Sequence, residues 1–516
     1  LTVYEDFTAG IATQAPRLVA SRSKKYAGLS GAKTALNVVL DEQGVRTAPG
    51  YARIHAGTLP AAVRGLHYYI QRGAATVEEL LAVANGNLYA DTTITWVSRG
   101  SGLADTPKTR FVNFNGYAVF SNGVDPVKQY DGATVANVAF TNAALAPVPA
   151  IWPVDNRPTY MFVHQNRIFY LNSAPYPYRL WTPDAGTHNI FDANSDVIDI
   201  DLGDGSPLVA GASLTTGIAV LFKTQSIHLL SGTNPTDALV APFTIRPYSR
   251  ELGCIAPDTV VTVGSEVYFL SQRGFKRLSY VTVTGDIRDA DPLDPARPIL
   301  DTLDMTRVTQ ASAEFNPVER CIYLSIPVKG GGWTTLVYNV MTKGIMQRSG
   351  FDITNQVYVQ EKTTHYFSRV ETGAPPVHRV YKNGVGNTYD GAPFASEWES
   401  LLQGTDQMNV LKVFSKFLAY TRVYNGIQVN AGIRVVNVDG TITTRVLNFG
   451  DTLGVDGWDV GAWDVALWDN AIANVLRQSD VGRGVAIAIF FKASAGAAFF
   501  FDRIELDIEP RVIARR

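Results

Sequence analysis

Three carboxylates crowd into one short stretch at Asp199, Asp201 and Asp204. Oxygen ligands this close together can hold a hard cation such as calcium. The twelve-residue calcium-loop template does not fit, because Gly203 stands where a third ligand is needed and Ala210 stands at the twelfth place. The plainer reading is a strand over 197–202 that ends in an Asp204-Gly205 turn. No metal is therefore expected, and the three aspartates are the chain's candidate ligands if one binds.

A second unusual stretch pairs tryptophan with aspartate at Trp458-Asp459, Trp463-Asp464 and Trp468-Asp469. A spacing of five matches neither a strand nor a helix. An indole has a large apolar body and one donor, which suits it to interfaces. Trp458, Trp463 and Trp468 are thus candidates for a loop that plugs into a neighbouring subunit or another component of the same assembly. The alternative is a loop that covers an open edge of the chain's own fold.

Other chemistry is sparse. HExxH, GxSxG, GxxxxGK[ST] and a post-strand GxGxxG are all missing. The seven histidines are scattered, none at metal-ligand spacing. Paired carboxylates for glycoside hydrolysis can come from distant segments, and nothing local marks them. The expectation is a protein that is not an enzyme and carries no cofactor.

The element that positions everything else is the stretch Asp258 to Tyr280. Short apolar strands alternate there with the turns Gly264-Ser265-Glu266 and Gln272-Arg273-Gly274, a three-stranded meander. Its strands carry no candidate catalytic group, so shape and stiffness are its expected contribution. The figure returns with one aromatic per copy, at Tyr89, Phe120, Phe169, Phe222, Phe269, Tyr323 and Phe367. Most steps are roughly 50 residues, the length of a propeller blade. The first step is short, which suggests an irregular or shared blade where the ring closes. Thr76 to Ala84 looks helical, but the Asn85-Gly86 turn that follows makes it a strand of a hairpin.

The pattern changes near residue 393. Longer strands follow, with a hairpin turn at Asp439-Gly440 and strict alternation from Arg503 to Ile508. The predicted fold is all-β: a β-propeller of six to eight blades, seven being the best count, followed by an antiparallel β-sandwich. Residues 1–60 would form an arm and the first strands closing the ring, 61–392 the propeller, and 393–516 the sandwich.

Composition narrows the function. The formal charge is −2, and no basic run is longer than Arg22-Ser23-Lys24-Lys25, apart from the terminal Arg515-Arg516. Tight, sequence-specific DNA binding is not expected, although DNA could slide past such a surface. Two cysteines cannot staple a chain of 516 residues, so assembly in a reducing cytoplasm fits. No apolar run reaches the ~18 residues of a membrane span, and the start does not read as a signal peptide.

The order of several motifs resembles a known family. Ala35-Leu36-Asn37-Val38, Asp41 to Arg46 and Pro49-Gly50-Tyr51 look like the opening of bacteriophage tail and head-completion propeller proteins. Gly123 with Pro126 to Gly132 looks like their following blade. Asp199 to Gly211, running into Ile218 to Gly232, looks like their central blades. Gly253 to Pro257, Val267 to Ser271 and Gly274-Phe275 resemble a pattern they show. The Trp-Asp loop and the closing strands are similar to their C-terminal domain. The resemblance implies a structural virion protein. It is most like the tail nozzle (tail tubular protein B class) of short-tailed phages, or the packaged-DNA stabilisation protein. Such proteins form a ring that retains packaged DNA and conducts it during ejection. Implied with it are a homo-oligomer (a hexamer), tail adaptor or portal-side proteins, tail fibres or spikes, and transient, non-specific contact with double-stranded DNA. The implied location is the phage tail, after assembly in the host cytoplasm. The alternative functions are a carbohydrate- or receptor-binding propeller and, after it, a propeller glycoside hydrolase.

Overall fold

The computed structural model describes residues 2–511, except 5–7, 13–18, 21–30, 42–43, 73–75, 143–151, 192–195, 233–242, 282–285, 372–374, 405–410, 424–428, 438, 450–471 and 498. The meander at 258–280 is one four-stranded antiparallel sheet: Val261–Val263, Glu266–Ser271, Gly274–Val281 and Asp286–Ala290. Its second strand is buried from Val267 to Ser271, because neighbouring sheets cover both of its faces.

Seven such sheets follow one another. The first strands are Gly65–Gln71, Arg110–Phe114, Pro158–His164, Leu208–Thr215, Val261–Val263, Ser312–Asn316 and Ile353–Val359. Each of these touches the first strand of the blade before and after it, and the last returns to the first. That closed cycle makes a seven-bladed propeller, with these strands around its axis. We number the blades 1 to 7 in that order.

The turns follow from residue type. Asn85-Gly86 and Asn115-Gly116 both have positive φ (48° and 71°, 48° and 81°), as a two-residue hairpin turn of the favoured twist requires. The stretch 76–84 is a strand, Val77–Ala84, paired across the first of these turns with Asn87–Asp91.

Between blades, aromatic side chains supply the packing. Phe222 and Phe269, on the second strands of blades 4 and 5, lie 4.7 Å apart and are fully buried. Burying one such side chain contributes roughly 1.5–3 kcal/mol. The repeat aromatics from Phe120 onward all sit on second strands, whereas Tyr89 sits on the third strand of blade 1. The short first step therefore reflects a change of strand, and blade 1 is itself a regular four-stranded sheet.

The shared blade is blade 7. Its strands Ile353–Val359, Thr364–Arg369 and Val380–Asn383 are completed by Tyr51–Arg53 from the start of the chain. Tyr51 is the anchor. Its ring meets Phe351, Phe367 and Tyr381 edge-on at 5.0 to 5.2 Å and stacks on Tyr389 at 4.7 Å.

The sandwich draws on both ends of the chain. One sheet holds Ile472–Gly484, Leu411–Val423, Phe499–Arg511, Gly44–Thr47 and Val38–Asp41. The other holds Ile442–Phe449, Val429–Val436, Ala486–Ala493, Ser396–Ser400 and Gly31–Leu36. Phe491 joins their faces, stacked on Phe501 at 3.6 Å and on Trp398 at 5.6 Å. The second sheet runs on into blade 6, where Leu36 pairs with Gln347 and Gly10 with Ile345. One hydrophobic core cluster spans both parts, from Tyr268 and Tyr323 to Phe491 and Leu506.

Asn37 pins this junction. It is 1% exposed, with φ 53°. Its Nδ2 donates to Ser349 Oγ (2.7 Å) and the Ala395 carbonyl (2.8 Å), and its Oδ1 accepts from Tyr389 Oη (2.9 Å). Both cysteines, Cys254 and Cys321, are buried free thiols. Among the described residues, no helix is long and apolar enough to cross a membrane.

Candidate functional site

The three aspartates that stand out in the sequence do not form one group. Asp199 is held by Arg179 in a two-pronged pair (2.5 and 2.8 Å). Asp201 and Asp204 instead come together with His228, their ligand atoms within 4.8 Å of one another. His228 lies on Ile227–Ser231, the third strand of blade 4, so nothing in the local sequence links it to the aspartates.

A cation already stands beside these carboxylates. The fully buried Lys223 donates its ammonium to Asp204 Oδ1 and to the carbonyls of Ile200 (3.1 Å) and Asp201 (2.9 Å). The other Asp204 oxygen accepts from Ser226 Oγ (3.2 Å), which also contacts His228 Nε2 (3.2 Å). Burial would raise the Asp204 carboxyl, but Lys223 and these hydrogen bonds pull it below its ordinary value. Burial, and then Lys223, push His228 down. One Asp204 oxygen that a metal would use is thus bonded to an ammonium, and Asp201 Oδ2 lies 3.4 Å from Arg250 Nη1. Trp458, Trp463 and Trp468 lie outside the described residues.

A second charge cluster lies at the propeller axis. The seven first strands run the same way around the ring, so their starts share one mouth. Arg110 and Asp258 come from such starts and Glu314 from the middle of Ser312–Asn316, and all three line a central cavity of about 240 Å3. Asp258 opens the 258–280 meander, in the turn Pro257–Thr259 just before its first strand.

Arg110 grips Asp258 with both prongs, Nε to Oδ1 at 2.5 Å and Nη2 to Oδ2 at 3.1 Å. Lys108 Nζ reaches Asp258 Oδ2 at 3.1 Å. The remaining donors go to main-chain carbonyls. Arg110 Nη1 bonds Thr159 O (2.9 Å), and Lys108 bonds Gln310 O (3.0 Å) and Thr354 O (2.9 Å). Through three charged side chains, blades 2, 3, 5, 6 and 7 are tied to one point. These side chains are 17 to 18% exposed.

Burial would raise Asp258, but Arg110 and Lys108 overcome it and hold the carboxyl down to about 2. Among the described residues, Glu314 has no such partner. Burial pushes its carboxyl up to about 8, against a single hydrogen bond from the Tyr358 N–H (3.3 Å). Burial also lowers His67 to about 4, with its Nε2 2.9 Å from Asn113 Oδ1. Burial lowers Lys108, against the pull of Asp258. At neutral pH the mouth therefore holds the Arg110 guanidinium, the Asp258 carboxylate, and a neutral acid and imidazole. The sequence signal for this site is a charged or polar residue within the first three positions of a first strand, at His67, Arg110 and Glu314.

No family model and no curated protein matches the chain. Solved structures resemble it only distantly. The extracellular domain of BT4673 from Bacteroides thetaiotaomicron is 9% identical, with a TM-score of 0.40, covering 83% of this chain and 64% of that one. YCF48 bound to the D1 peptide is 11% identical, with a TM-score of 0.35, covering 64% and 94%. The 6-phosphogluconolactonase-like protein BF1038 of Bacteroides fragilis is 11% identical, with a TM-score of 0.33, covering 63% and 94%. These likenesses are too weak to carry an argument. The fold assignment rests on the sheet order and the closed cycle of first strands.

Proposed function

We propose that this chain is a structural protein of a bacteriophage tail, a stiff building block of an oligomeric ring that retains packaged DNA and conducts it during ejection. The observation that carries the reading is the closed axis. Arg110, Lys108 and Asp258 direct their hydrogen bonds at one another and at the ring's own backbone, so the centre of the propeller works as a fastening. A sheet continuous from blade 6 into the sandwich stiffens the other junction. The motif order set out above supplies the link to phage tails.

DNA in this reading passes between subunits. A duplex whose major groove alone is about 12 Å wide cannot thread the axial cavity. The net charge of −2 suits passage without capture. Electron microscopy of the purified protein is expected to show rings, and phage particles lacking it are expected to leak DNA. A monomer at every concentration, together with DNA-tight particles in its absence, would overturn the proposal.

A propeller hydrolase has one observation in its favour. Two carboxyls share the mouth, with their proton affinities pushed apart to about 2 and about 8. Against it, Asp258 is already engaged by Arg110 and Lys108. Turnover of nitrophenyl glycosides that disappears in Glu314→Gln would favour this second reading.

A further inference from the structure

A larger cavity, about 410 Å3, lies between the sandwich hairpin and blade 6. Val38 and Leu40 line it on the hairpin side, Val337 and Met346 on the blade side. Its volume falls within the range of small-molecule sites. It lies apart from the axial cluster and from the Lys223 cluster.

Arg348 lines this cavity and is 3% exposed. A guanidinium does not lose its proton in a protein, and a buried charge is normally paired. Here the pairing is incomplete. Arg348 Nη1 donates to the Pro49 carbonyl (3.2 Å), and its guanidinium lies 5.3 Å over the Phe351 ring. The phenols of Tyr323 and Tyr389 and, beyond salt-bridge distance, the Glu319 carboxylate are its other polar neighbours. Among the described residues, no carboxylate comes within salt-bridge distance of it.

Among the described residues, Glu319 is the one acid in the cavity lining, and one of its oxygens accepts the Tyr323 hydroxyl. Arg46 adds a second cation to the lining from the hairpin side. The cavity thus joins apolar walls to a buried cation that, among the described residues, forms no salt bridge.

We propose that this cavity binds a small organic carboxylate, its apolar body against Val38, Leu40, Val337 and Met346 and its carboxylate on Arg348. This proposal stands independently of the phage-tail reading. Val318 offers a way to test it without disturbing the core, since it lines the same cavity and is 63% exposed.

The experiment is titration calorimetry and thermal melting of the whole chain with octanoate and benzoate. Octanol and benzyl alcohol serve as neutral controls, and inorganic phosphate as a third arm. Both carboxylates are expected to bind and raise the melting temperature, with the alcohols about tenfold weaker or more. Val318→Glu is expected to weaken carboxylate binding several-fold, and Val318→Lys to strengthen it, with both effects shrinking at high salt. Arg348→Gln is expected to abolish binding. Equal binding of alcohols and acids would overturn the proposal, because the cavity would then be only an apolar void. Phosphate binding more tightly than either organic acid would also overturn it, as would no carboxylate binding up to about 10 mM.

Discussion

Arg110 and Asp258 stand 148 residues apart in the chain and meet as a two-pronged ion pair at the propeller axis. The pair joins blade 2 to blade 5, and Lys108 extends it to blades 6 and 7. The consequences can be measured.

Replacing Asp258 with Asn leaves the buried Arg110 guanidinium without its counter-charge and Lys108 without its carboxylate partner. Breaking a buried pair in this way costs about 3–5 kcal/mol. Urea unfolding is expected to show the loss. The acid limb has a definite sign. The folded carboxyl sits near 2, below its ordinary 3.8, so its contribution is complete above about pH 4 and disappears as the pH falls toward 2. Asp258→Asn is expected to flatten that limb. An unchanged midpoint at pH 7 would count against the fastening role.

Glu314 acts in the opposite direction. Its folded carboxyl titrates near 8, above the ordinary 4.5. Below pH 4.5 both folded and unfolded states are protonated and nothing is lost. As the pH rises from 4.5 to 8, the unfolded state ionises first, so stability falls across that window. Glu314→Gln is expected to match the parent near pH 4 and to melt at a higher temperature at pH 8. Equal melting curves at pH 8 would refute this.

Tyr51 closes the ring through one short strand. Tyr51→Ala removes a buried aromatic in contact with four rings and is expected to destabilise the fold by about 3–5 kcal/mol. Proteolysis should then cut near residue 51 first. Tyr51→Phe keeps the ring stacking but loses the hydrogen bond to the Gly350 carbonyl (3.2 Å) and the one from Arg369, an expected loss of about 1 kcal/mol.

Lys223→Met removes the ammonium that bonds Asp204. The variant is expected to be less stable, and zinc is expected to restore part of the loss through Asp201, Asp204 and His228. The parent is expected to show no zinc-dependent shift in melting. A shift in the parent equal to that in the variant would mean that Lys223 does not take the cation's place.

The sequence alone was enough to determine the repeating unit. Its turns are local, since Asn85-Gly86 and Asn115-Gly116 need only their own φ angles to reverse the chain. Burial on both faces of a second strand shows as a run such as Val267 to Leu270. A period near 50 residues then makes the runs into blades. The axial site was not legible in this way. Asp258 heads a stretch whose local pattern points only to stiffness. Its partner Arg110 is set by how many blades intervene and how the ring closes, and no local spacing encodes either. The same holds where Tyr51 completes blade 7 and where His228 replaces Asp199 beside Asp201 and Asp204. Hydrogen-bonding turns and alternating burial act over a few residues, so a single sequence displays them. Ion pairs across an axis and shared sheet edges exist only once the chain has closed on itself, and the tertiary structure alone decided them.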